Sequence, residues 1–288
     1  MKEIDTLHIT SGDYAGNLLA KSSIPGEVFV WHDIMYDGPR KPGWPDEAIL
    51  AARAEFIEYD TGGGIERKHV LSTLRNQYDK LAGAAHCKYI ILWFDACLFD
   101  QSMLVHILNC LRLKKIKHAE LVCIDSFPGI EPFNGLGQLD AADFASIYDL
   151  RDEVTGKQFK FARLVDDALA AADINALTEI ARMPEAPLPF VPAAIKRFLL
   201  EQPDPVTGIG QLERLALEAI RQGCDNPVEI FKKVAATDSK PQYWGDTTLW
   251  KKINSLANHD LIIINGPEKR LPQWVSELDL NSFKITAR

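Results

Sequence analysis

Four short apolar runs, each separated from the next by a stretch of helical periodicity, limit the first half of this chain to an α/β fold. The runs cover residues 7–10, 27–31, 89–94 and 120–124, and polar or turn residues bound each of them, as expected of strands. Between and after them, Tyr14, Leu18 and Leu19 mark a short helix, and residues 48–57 suit a second. Val70, Leu71, Leu74, Tyr78 and Leu81 recur at helical spacing in a third, and Met103, Leu104, Ile107, Leu108 and Leu111 in a fourth. Strands that alternate with helices pair in parallel through right-handed crossovers. A doubly wound, mainly parallel, Rossmann-like sheet is therefore expected over residues 1–135.

A helical connector segment follows over residues 136–205. Thr155 and Gln158 form a capping box ahead of a helix over 159–172, and Asp173 offers a cap to the next. Four prolines between 183 and 192 break the helical pattern, and residues 202–210 (QPDPVTGIG) break it again after a helix over 193–201. Residues 206–288 have a different rhythm. Leu212, Leu215, Ala219 and Ile220 define one helix, Asn226–Pro227 opens a second, and Asp246 offers a cap to a third with Leu249, Trp250, Ile253 and Leu256 inward. Residues 261–264 and 271–275 then read as a hairpin around a turn at 265–270. Three helices and a hairpin in this order give a winged-helix-like domain.

Charge and cysteine usage narrow the class of protein. The net charge of −8 disfavours broad binding to nucleic-acid phosphates. The acidity lies in the first 205 residues, because residues 206–288 carry 11 Lys/Arg against 10 Asp/Glu. The five cysteines are odd in number, form no CxxC pair and sit largely in apolar runs, which fits reduced thiols. MKEIDTLHIT has no apolar signal core, and the longest apolar run, 89–94, is far too short to span a bilayer. A cytoplasmic protein without membrane contact is expected.

Open parallel sheets bind ligands outside the carboxyl ends of their strands. Ser11-Gly12-Asp13 follows the first run, and His32-Asp33 with Asp37-Gly38-Pro39-Arg40 follows the second. Asp95 follows the third, with Asp100 and Gln101 close behind, and Asp125-Ser126 follows the fourth. Every expected strand thus delivers a carboxylate to one edge. Gathered carboxylates repel unless a cation, a proton or a basic partner neutralises them, and a Mg²⁺ ion with a phosphate ligand is one solution. His32 is a candidate general base or metal ligand, and Arg40 and Arg75 are candidate guanidinium partners for an anion. Simpler roles compete. Ser11, Asp13 and Asp100 can cap helices, Asp125 can stabilise a turn, His32 can be structural, and both arginines can pair with neighbouring acids. Asp33 and Asp95 have no capping duty. Cys97 has no adjoining basic residue to activate it. The chain has no GxGxxG, GxxxxGK[ST], GxSxG or HExxH element.

LHITSGD, VFVWHDIMYDGP and ILWFDACLFDQSML resemble the signature blocks of a bacterial family known as domain of unknown function 1835. GLGQL, LPFVPAAIKRFLLEQP and GDTTLWKKI are similar to the rest of its long form, including a C-terminal domain. The family has no established activity, so the resemblance implies positions and no reaction. Gly12, Asp13, Trp31, Asp33, Gly38, Pro39, Trp93, Phe94, Asp100 and Gln101 match its motifs. Members often show an acid where this chain has Cys97, a departure that weighs against a metal role there.

Two functions follow as expectations. In the first, Ser11, Gly12, Asp13, Asp33, Arg40, Arg75, Asp95, Asp100 and Gln101 bind a small anionic ligand, a nucleotide or phosphometabolite, and Asp33, Asp100 and His32 are the catalytic candidates for metal-assisted phosphoryl or hydrolytic chemistry. In the second, residues 206–288 contact DNA or a protein partner, with Lys251, Lys252, Lys269 and Arg270 as a thin basic footprint.

Overall fold

The computed structural model describes residues 5–273 and 278–288. Its N-terminal half is an α/β sheet of five strands. β1 (Thr6–Ser11), β2 (Glu27–Trp31), β3 (Tyr89–Asp95) and β4 (Ala119–Ile124) run parallel, and β5 (Asp152–Glu153) adds to β4 antiparallel. The spatial order is β2-β1-β3-β4-β5. The chain leaves β1 toward one edge and returns to β3 on the other side, so the direction of winding switches between β1 and β3. That switch is where doubly wound sheets open a crevice.

Successive strand residues point to opposite faces, and each face has its own core. Ile90, Leu92 and Phe94 pack with Leu7, Ile9 and Trp31 against α2 (Glu47–Asp60), α3 (Arg67–Gly83) and α4 (Leu98–Leu113). Ile91, Trp93 and Val122 pack with α1 (Asp13–Lys21) and α5 (Ala141–Ile147) on the other face. The first of these cores continues without a break into α6 (Gly156–Ala170), α7 (Ile174–Ala181) and α8 (Val191–Leu200). The Thr155–Gln158 capping box opens α6, and the Asp173 carboxylate caps α7 through the Ala176 N–H.

Charged side chains are built into the same core. Leu50, Arg53, Ala54 and Ile57 share the inward face of α2, as Ala162, Val165, Asp166 and Leu169 do on α6. Asp166 accepts hydrogen bonds from Arg40, the Gly43 N–H (2.7 Å), Asn109 (2.7 Å) and the His106 ring (3.2 Å). Burial pushes its carboxyl up, but His106, Arg40 and Asn109 outweigh burial and hold the pKa at about 2.

The last segment has α9 (Gln211–Arg221), α10 (Pro227–Thr237), α11 (Asp246–Asn258) and a ribbon of β6 (Ile262–Asn265) with β7 (Lys284–Ala287) around its own core. The ribbon differs from the expected hairpin. The antiparallel partner of β6 is residues 284–287, and residues 271–273 form no strand. Both backbone groups of buried Leu271 are satisfied by the Asn254 side chain, at 2.7 and 2.9 Å, which removes them from any ladder. Residues 274 and 275 of the expected strand lie outside the described residues. The cap of α11 is Gly245, with Asp246 in its first turn. All five cysteines are free thiols, and among the described residues no helix is long and apolar enough to cross a membrane.

Candidate functional site

The switch between β1 and β3 holds a buried carboxylate pair. Ser11 does not cap α1: its hydroxyl donates to Asp100 Oδ1. Asp100 does not cap α4, a duty taken by Cys97 Sγ, which accepts from the Asp100 N–H at 3.5 Å. The second Asp100 oxygen accepts from the Asp95 N–H (2.7 Å), and Asp95 accepts from the N–H groups of Cys97 (2.8 Å) and Leu136 (3.3 Å). Gln101 Nε2 donates to the Asp95 carbonyl at 2.6 Å. Gly135 has φ +128°, and a Cβ there would overlap the Asp95 carboxylate, so this glycine lets the 134–137 loop close over the acid. Burial raises the Asp100 pKa well above the carboxylate range, with the Asp95 charge adding to it, and burial raises Asp95 as well. Burial and the two acids push the Cys97 thiol up, so it is no nucleophile at neutral pH.

The ligand atoms of Asp95, Cys97 and Asp100 lie within 4.8 Å of one another. All four carboxylate oxygens already face N–H or O–H donors, whose positive ends oppose a cation. The cluster borders a cavity of about 260 Å³.

A larger cleft of about 770 Å³ opens beside it, and Phe99 and Tyr243 line both. Its floor is the turn after β2, with Asp33 and Ile34. One wall is the end of α2 and the start of α3, with Ile57, Ile65, His69, Val70 and Thr73. The opposite wall is Tyr243 and the first turn of α11, with Gly245, Thr247 and Thr248. The N-cap of α11, Gly245, has no side chain to offer, and the Asp246 carboxylate in the first turn accepts the Thr247 N–H at 2.7 Å.

Asp13 and His32 meet at the rim of this cleft. The N-cap of α1 is Gly12, at φ 72°, so the Asp13 carboxylate is free to reach His32 Nε2 at 2.8 Å. Asp33 sits on the floor, but its carboxylate is inside, held by Arg53 Nε at 3.0 and 3.1 Å and by Arg53 Nη2. Arg53 also donates to the carbonyls of Ile34 (2.9 Å), Pro39 (2.7 Å) and Asp37 (3.3 Å). The pair fixes the whole 32–40 turn to α2.

The other expected residues are placed elsewhere. Arg40 is buried against Asp166, and Arg75 pairs on the surface with Glu47 at 2.7 Å. Neither lines the cleft. Asp125 is exposed and accepts from Ser126. Lys251 turns toward Asp60 and Asp37, and Lys252 toward Glu201 at 3.8 Å, so two of the four cations expected to read DNA are directed inward.

Sequence reasoning overlooked Arg53, Gln77, Tyr36, His69 and Tyr243. For Arg53 and Gln77 a signal exists, since both fall on the apolar faces of their helices, Arg53 between Leu50 and Ile57 and Gln77 between Leu74 and Leu81. For Tyr243 none exists, because its place in the cleft depends on how α11 docks. No protein-family model and no curated protein matches the chain.

Proposed function

We propose that the chain binds a small anionic ligand, a nucleotide or phosphometabolite, in the cleft between the carboxyl ends of β1 and β2 and the first turn of α11, and transfers a proton to or from it through His32. The observation that carries this reading is the Asp13–His32 pair at the rim of a cleft of about 770 Å³, a size that suits small-molecule sites. Asp13 engages Nε2, which leaves Nδ1 to take or give a proton. The ring N–H groups of His32 and His69 offer donors to negative charge in the ligand. Metal-assisted phosphoryl or hydrolytic chemistry would use Mg²⁺ bound with the phosphate.

Thermal-shift screening of nucleotides and sugar phosphates, with and without Mg²⁺, tests the proposal. A ligand present at 100 times its Kd stabilises the folded chain by about 2.7 kcal/mol, and His32→Ala should fold normally and lose most of that shift. No stabilisation by any ligand under either condition would overturn it.

A further inference from the structure

Gln77 projects from α3 to the free edge of β2 and is only 1% exposed. Its Oε1 accepts the His32 backbone N–H at 3.1 Å, while its Nε2 has no partner. Turning the amide over does not help, because Nε2 would then face the His32 N–H, donor against donor. A buried donor left unmade costs about 1–3 kcal/mol, and buried polar groups in folded proteins are nearly always satisfied. Gln77 lines a groove of about 260 Å³ with Asp13, His32, Thr73 and Asn76. Asp13, His32 and Thr73 also line the larger cleft, so the groove and the cleft adjoin at the Asp13–His32 pair.

The two compartments differ in chemistry. The cleft is walled by Ile57, Ile65 and Val70 and by an aromatic group in which Tyr36 meets Tyr243 edge-on at 5.4 Å and Phe99 at 6.4 Å. The groove is the less apolar of the two, with Asp13, His32, Thr73, Asn76 and Gln77 set beside Val28, Phe29 and Val30. It offers an acceptor in Asp13, a donor in Gln77 and a hydroxyl in Thr73, the set that a hydroxyl group, itself both donor and acceptor, satisfies.

We propose that the ligand is of the nucleoside class: a planar ring among Tyr36, Phe99 and Tyr243, and a sugar hydroxyl held between Gln77 Nε2 and Asp13. This rests on the anionic-ligand reading and narrows it, since a phosphometabolite without a ring leaves the apolar walls wet and uses none of the aromatic group.

Calorimetric titration of the full chain with adenosine, uridine, their 5′-monophosphates, ribose 5-phosphate and inorganic phosphate tests it. At least one nucleoside and its monophosphate should bind, and ribose 5-phosphate and phosphate at least about tenfold more weakly, the loss expected when a buried ring contact is missing. Gln77→Glu keeps the acceptor for the His32 N–H and removes the donor, and should weaken nucleoside binding about tenfold. Gln77→Met, which buries no charge, should do the same. Ribose 5-phosphate or phosphate binding as tightly as the monophosphates overturns the nucleoside assignment and leaves the anionic reading standing. Nucleoside binding untouched by both Gln77 variants overturns the role of Gln77. Binding of nothing in the panel overturns the nucleoside assignment, and the thermal-shift screen with and without Mg²⁺ decides the anionic reading separately.

Discussion

Replacing Asp33 by alanine separates a structural acid from a catalytic one. Its side chain is fully inside the protein, and Arg53 beside it is 1% exposed. Without Asp33, the guanidinium keeps three carbonyl partners but no hydrogen-bonded counter-charge. Removing one partner of a buried pair costs about 3–5 kcal/mol, a large share of the roughly 5–15 kcal/mol that holds a domain folded. At about 2–4 °C per kcal/mol for a chain of this size class, the midpoint should fall by about 6–20 °C. Asp33→Ala/Arg53→Met removes both charges and should recover most of the loss, because replacing a whole buried pair by apolar groups is often close to neutral. Thermal unfolding followed by far-ultraviolet circular dichroism reads the midpoint, and urea unfolding followed by tryptophan fluorescence reads the free energy, for all three chains. If Asp33→Ala stays within about 1 kcal/mol of wild type and yet loses ligand binding, the staple role assigned to Asp33 is refuted and the residue belongs to the site chemistry.

Three further outcomes follow from the buried acids and the glycine over them. Asp166 is held at about 2, below its value in the unfolded chain, so its contribution is complete above about pH 4 and is lost as pH falls toward 2. Asp166→Asn should remove a pH-dependent term of roughly 2–3 kcal/mol from unfolding curves across that window, while lowering stability at neutral pH. Asp100 has the opposite sign. Its folded-state pKa is raised, so the native state holds the proton and stability falls as pH rises through the unfolded value toward the folded one. The stability of Asp100→Asn relative to wild type should therefore improve between pH 4 and pH 7, and a flat difference would contradict the raised value. Gly135→Ala combines a positive φ with an overlap on Asp95 and should cost about 1–3 kcal/mol in chemical unfolding.

The alternation of apolar runs with helical stretches located the sheet because each strand of a parallel sheet is buried on both faces and reads as a continuous apolar segment. Residues 27–31 are β2 itself, and the other three runs fall within a residue of the observed ends. β5 was not legible, since a two-residue exposed pairing leaves no pattern. The strand-end acids were legible as a set but not by role. Sequence adjacency suggests caps for Ser11, Asp13 and Asp100, whereas Gly12 and Cys97 occupy those cap positions and free the three side chains for tertiary contacts. Asp33 lacks a capping duty in the sequence because its partner, Arg53, stands 20 residues away on α2. The Lys251 pairing with Asp60 and Asp37 joins residues some 200 positions apart, which no local pattern encodes.

Long-range ¹H–¹⁵N correlation of the histidine rings in the full chain, during titration with a nucleoside monophosphate, reads whether the cleft beneath α11 is a ligand site. The chain has seven histidines. His32 and His69 line the cleft, whereas His8 and His106 are buried in the core and His118 bonds the Cys87 carbonyl. A ligand seated in the cleft shifts the His32 and His69 rings saturably and leaves the other five unmoved. Shifts confined to His86, His118 or His259, or no shift at saturating ligand, would contradict it.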